Sequence, residues 1–66
     1  MGFEKTPLWD SQGNRIKVND VILSPFEKLY FVIKDRHLGY SITHIVERTI
    51  EKLTPDLANE MLVVRI

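Results

Sequence analysis

Sixty-six residues with nine basic and nine acidic side chains, 44% hydrophobic content and no cysteine describe one small globular domain of zero formal net charge. The missing cysteines exclude disulfides, iron–sulfur clusters and thiolate zinc sites together, so stability must come from a core that buries only about 60% of the unfolded chain's surface. Balanced, interleaved charge sets aside a protein that grips nucleic acid mainly through phosphates, which takes a basic excess, and no apolar run approaches the ~20 residues that span a bilayer.

The first residues, Met1 to Thr6, lack the apolar centre of a signal peptide. They fit the loose Met-Gly-x-x-x-Thr acylation pattern. Charges at Glu4 and Lys5 and the lack of a polybasic second signal argue against a stable membrane anchor. The expectation is a cytoplasmic protein with no membrane partner.

Turn signals then punctuate the chain: Pro7, Asp10 to Asn14, Asn19-Asp20, Ser24-Pro25, Asp35 to Gly39 and Thr54-Pro55. Short apolar runs between such signals favour a small β-structure over a helical bundle. Arg15 to Val18 sets Ile16 and Val18 inward, and Asn19-Asp20 turns the chain into the apolar strand Val21-Ile22-Leu23. The clearest strand is Lys28 to Lys34. Leu29, Phe31 and Ile33 face one way, while Lys28, Tyr30, Val32 and Lys34 face the other, as a half-buried strand requires.

Asp35 to Gly39 reads as a hairpin loop with Gly39 free to take positive φ. Tyr40 to Val46 then returns antiparallel, with Tyr40, Ile42, His44 and Val46 on one face. Residues 44 to 53 show no clean strand alternation and read as an extended, bent segment or, as the alternative, a helix. Ile45, Val46, Thr49, Ile50 and Leu53 lie on one face of a helix, yet Glu47/Glu51 and Arg48/Lys52 are like-charged pairs four apart, which oppose one. Farther on, Thr54 suits an N-cap, Pro55 the first helical position and Asp56 the positive helix end. A helical turn over Thr54 to Glu60 and a closing strand from Met61 to Ile66 are therefore expected.

Five or so strands with one helical turn before the last describe a mainly β protein, a small SH3-like barrel. The alternative is an α+β fold with a helix at about 44 to 53 on a three- or four-stranded sheet.

The stretch Asp10-x-x-Gly13-x-x-Ile16-x-x-Asn19-Asp20-Val21-Ile22 resembles a pattern of YopX-like proteins of bacteriophages and prophages. There an Asp-x-x-Gly turn leads into a short strand, followed by a Gly-Asp turn and an apolar strand. Tyr30 with Val32 looks like that family's Tyr-x-Val strand. Asn19 stands where the family has Gly, but Asn tolerates left-handed geometry. Thr54-Pro55-Asp56-Leu57 is similar only in part to the family's Asn-Pro-Glu-Leu close. The resemblance implies a small SH3-like β-barrel and a phage-type accessory protein, without implying a settled biochemical activity.

Residues that carry chemistry are sparse. His44 and Glu47 are three apart and would share one face of a helix, but a metal site needs three or four converging ligands and neither cysteine nor a third histidine exists. His37 sits in the hairpin loop beside Asp35 and Arg36. Asp10, Asp20 and Asp35 occupy turns, where Asp serves its own backbone. Gly2, Gly13 and Gly39 are isolated, so no phosphate loop exists, and neither cofactor nor metal nor catalytic set is indicated.

Aromatic residues offer more. Trp9, Tyr30 and Tyr40 are of the types that anchor interfaces. If the Tyr30 side of its strand is open, Tyr30 and Tyr40 present a shallow aromatic surface flanked by Lys28, Lys34 and Arg36. If it is covered, Trp9 caps the barrel and the tyrosines are sheet stabilisers packed across the hairpin. The leading expectation is a non-catalytic phage- or prophage-type module that binds another protein, or a second copy of itself through an exposed strand edge. The second is single-strand nucleic-acid binding on that aromatic and basic face, by stacking plus charge.

Overall fold

A computed structural model describes residues 4–64. Met1 to Phe3 of the acylation pattern, and Arg65 and Ile66 of the expected closing strand, lie outside the described residues.

The punctuating turns each close on a specific acceptor or a left-handed residue. Asp10 folds back on its own loop, accepting from the backbone N–H of Gln12 at 2.9 Å and of Asn14 at 2.7 Å. This brings strand β1 (Lys5–Trp9) antiparallel to β2 (Arg15–Lys17). Asn19 takes φ +76°, as its side chain permits, and Asp20 accepts from Lys17 N–H at 2.8 Å. The chain thereby turns into β3 (Val21–Leu23). Ser24 Oγ accepts from Phe26 and Lys28 N–H and leads into β4 (Leu29–Asp35). Asp35 Oδ2 accepts from His37 and Leu38 N–H, and Gly39 at φ +82° starts β5 (Gly39–His44).

Residues 44 to 53 do not form the helix of the alternative fold. His44 Nδ1 accepts the N–H groups of Val46 and Glu47 at 3.2 and 3.0 Å, and Arg48 takes φ +59°, which no helix accommodates. The chain then extends as β6 (Ile50–Lys52) beside β5. The return strand accordingly ends at His44, and Val46 lies in the turn beyond it.

Thr54 caps α1 (Pro55–Ala58) as expected, its Oγ1 accepting from Leu57 N–H at 3.2 Å. The last described strand is β7 (Leu62–Val64). The protein is mainly β, with seven strands among the described residues where five were expected; β1 and β6 are the additions. Pro7 sits within β1, which among the described residues pairs with β2 alone, so that a residue lacking N–H is tolerated there.

Two sheets result: the β1–β2 hairpin and an antiparallel sheet in the order β6-β5-β4-β3-β7. The larger sheet is open, with β6 and β7 as its edges. Paired residues share a face, so Ile22, Val32 and Ile42 point together to one side. All three are fully buried, and Leu8 and Ile16 of the hairpin, Leu53, Ala58 of α1 and Met61 complete the core with them. Thr6 is buried in the same layer without polar loss. Its hydroxyl donates to the Ile16 carbonyl at 2.8 Å and accepts from Leu8 N–H at 3.2 Å.

This placement decides which face of β4 is inside. The expected alternation is present, but Val32 is fully buried and Tyr30 packs on the core, whereas Leu29 and Phe31 are each 42% exposed. The side bearing Leu29, Phe31 and Ile33 is the open one. Period two defines two faces; where the β1–β2 hairpin lands selects between them.

Candidate interaction surface

The six residues singled out for an aromatic and basic face do not form one surface. Tyr30 is half-buried on the core and meets His44 edge to face, ring centroids 5.2 Å apart. Lys34 lies two positions beyond Val32 on the same side, separated from Tyr30 by that buried residue. Trp9 stands on the separate hairpin, 45% exposed, with the Arg15 guanidinium 5.2 Å over its ring. Lys28 lies in the exposed β3–β4 turn, and Arg36 in the exposed β4–β5 turn at the opposite end of β4.

Lys34 and Tyr40 do meet, as cross-strand partners, with the Lys34 ammonium 5.5 Å from the Tyr40 ring centre. Both engage Glu4: the Tyr40 hydroxyl donates to its carboxylate, and Lys34 Nζ approaches it at 3.1 Å. The Tyr40 hydrogen bond, followed by that of Lys34, holds the Glu4 carboxyl below its usual range. The same contact raises the Lys34 ammonium and the Tyr40 phenol above theirs. All three groups are solvated, so the cluster is a screened surface network.

Among the described residues, most of the exposed large hydrophobic side chains lie on the other side of the larger sheet or in the turns at its end. Register places Val64, Val21, Phe31, Thr43 and Ile50 in one row across all five strands. Leu62, Leu23 and Leu29 form the adjacent row, with Ile33, Ser41 and Lys52 in the row on the far side. Leu29, Phe31, Ile50 and Val64 are all exposed. At one end, the β5–β6 turn is joined to the start of β4, next to the β3–β4 turn, by the Ile45 N–H bond to the Leu29 carbonyl at 3.2 Å. These turns carry Phe26 and Val46, 84% and 81% exposed.

None of these face residues was singled out from the sequence. A signal was there: β4 is apolar on both faces, Tyr30 and Val32 on one and Leu29, Phe31 and Ile33 on the other. A chain of this length has too little left over to cover both.

The remaining polar groups serve the fold. Besides its own loop, Asp10 accepts from Val63 N–H at 2.9 Å, which ties the first hairpin to β7 across 53 residues of sequence. Burial opposes its charge, but the N–H groups of Val63, Asn14 and Gln12 and the Asn14 amide outweigh it and hold the carboxyl below the usual aspartate range. His44 is committed to its turn through Nδ1, and its Nε2 stands 3.9 Å from Glu47. No three His, Asp or Glu side chains converge to hold a metal, and no helix is long and apolar enough to cross a membrane, among the described residues.

Comparison with protein-family models, curated proteins and solved structures found no match to this chain.

Proposed function

We propose that this chain is a non-catalytic binding module that docks another polypeptide on the open face of its five-stranded sheet. The observation that carries the reading is the uncharged row Val64–Val21–Phe31–Thr43–Ile50, flanked by three leucines, on a face where Phe31 and Ile50 are 42% and 51% exposed. Contiguous exposed apolar area of this kind marks an interaction site. Phe31 on the central strand supplies the aromatic anchor such a site needs.

The strand sequence β3-β4-β5-β6, the helical turn before β7 and the return of β7 to β3 support an SH3-like barrel as the parent architecture, with β1–β2 as its second layer. The Asp10–Ile22 pattern supports a YopX-like, phage- or prophage-type accessory role in the host cytoplasm. A nucleic-acid role on Lys28, Tyr30, Lys34, Arg36 and Tyr40 draws less support, because Glu4 occupies Lys34 and Tyr40 while Tyr30 turns toward the core.

A photo-crosslinking phenylalanine analogue at Phe31 or Ile50 is expected to capture a polypeptide in the cell, and the same group at Arg36 or Lys17 to capture far less. Equal labelling at all four positions, together with salt-dependent oligonucleotide binding lost in Tyr40→Ala, would overturn the reading.

A further inference from the structure

Five strands about 4.8 Å apart, with one row of side chains across all five, a three-residue row on either side and Ser41 buried among its neighbours, make a face on the order of 500 Å². That is near a tenth of the 4800 Å² surface, the share a binding patch takes on a small protein. The charged side chains on this side of the strands, Asp35 and Lys52, belong to rows beyond the Phe31 row. An acidic, basic or phosphate-bearing partner finds no counter-charge at its centre, so the occupant must itself be flat and apolar there.

We infer that the occupant is a second copy of this chain, the two larger sheets stacked face to face about a twofold axis that runs between them near Phe31. This rests on the protein-binding reading above and names its partner. A twofold near Phe31 sets the uncharged central row of one copy against that of the other, so complementarity there is met by symmetry, with Lys52 at the margin on β6. Two such faces bury on the order of 1,000 Å² in total, the lower limit for a specific interface. Phe26, Ile45 and Val46 at the rim extend it. Zero net charge removes the long-range repulsion that would oppose pairing. Stacked about 10 Å apart, the two open sheets become the halves of one sandwich, with Phe31 of each copy set among the β-branched side chains of the other.

Edge-to-edge pairing is the rival geometry, and both edges are defended against it. Asp10 occupies the Val63 N–H on β7. β6 is three residues long and carries Glu51 and Lys52. Short, charged or covered edges resist strand addition.

Sedimentation equilibrium on the purified chain tests this, with circular dichroism to verify that each variant folds. Wild type is expected to dimerise with rising concentration, and Phe31→Lys to weaken association at least tenfold while keeping its β spectrum; Phe31→Thr serves if the lysine variant does not fold. Isotope-filtered NMR is expected to show contacts between Phe31 of one copy and Val21 or Thr43 of the other. A dimer that survives Phe31→Lys with its amide protection at Ile50 and Lys52 overturns the face assignment in favour of the β6 edge. A wild type that stays monomeric, while the Phe31 crosslinker captures a different polypeptide, overturns the dimer and leaves the binding reading intact. Monomer without any crosslink overturns both.

Discussion

Asp10 is buried, charged and bonded at both oxygens, one serving its own loop and the other taking the Val63 N–H and the Asn14 amide. Hydrogen bonds to a charged acceptor are worth about 1.5–3 kcal/mol each at best, and leaving a buried donor unpaired costs about 1–3 kcal/mol. Asp10→Asn keeps the shape but puts an amide donor among N–H groups. It is expected to cost about 2 kcal/mol in a urea melt at neutral pH. Because the folded-state carboxyl is held below the ordinary value of 3.8, its contribution is complete well above that value and disappears as pH falls through the lower, folded one. The gap between wild type and Asp10→Asn should therefore close in strongly acid solution. A gap unchanged down to the acid transition would show that the charge contributes nothing. Strain is spent at two other residues, Glu27 at φ +62° and Arg48 at φ +59°, in the turns that carry the exposed Phe26 and Val46.

At the scale of elements, β4 holds the fold together and also presents it. Val32 and Phe31 are adjacent in sequence, but Val32 lies in the closed core and Phe31 on the open face. Val32→Ala is expected to cost about 1–3 kcal/mol through the cavity it leaves. Phe31→Thr should cost under about 1 kcal/mol in dilute solution, since it opens no cavity and Thr favours strands. Chemical denaturation of the two variants checks this order, and the reverse order would mean the faces are assigned wrongly. Much of the element plan was legible beforehand. Thr54-Pro55-Asp56 announced α1, and Asp35 and Gly39 announced the β4–β5 turn, because caps and left-handed turns are local chemistry. β1 is hard to see in the sequence because Pro7 interrupts the pattern, though the alternation of buried Thr6 and Leu8 with exposed Lys5, Pro7 and Trp9 is regular. β6 was obscured because Ile50 to Lys52 is exposed at all three positions; only pairing with β5 makes it a strand.

At the scale of the whole molecule, a chain this short has total stability of roughly 3–10 kcal/mol. Association that engages only the folded state adds to it by mass action. The thermal midpoint of the wild type is therefore expected to rise with protein concentration and that of Phe31→Lys to stay constant; a wild-type midpoint independent of concentration would contradict association of the folded state. The sequence by itself determined a small, cysteine-free, mainly β domain, its turns, its one helical turn and the alternation of β4, since each depends on neighbours in the chain. It could not determine which side of β4 would be covered, and so directed attention to Tyr30, Lys34 and Tyr40, away from Leu29, Phe31 and Ile50. Only the tertiary structure decided that, through the docking of Leu8 and Ile16 onto Ile22, Val32 and Ile42 and the tether from Asp10 to Val63. Both faces of the strand are apolar enough to be inside. A chain of this length has one second layer to cover them, and the side that layer takes is fixed by contacts distant in sequence.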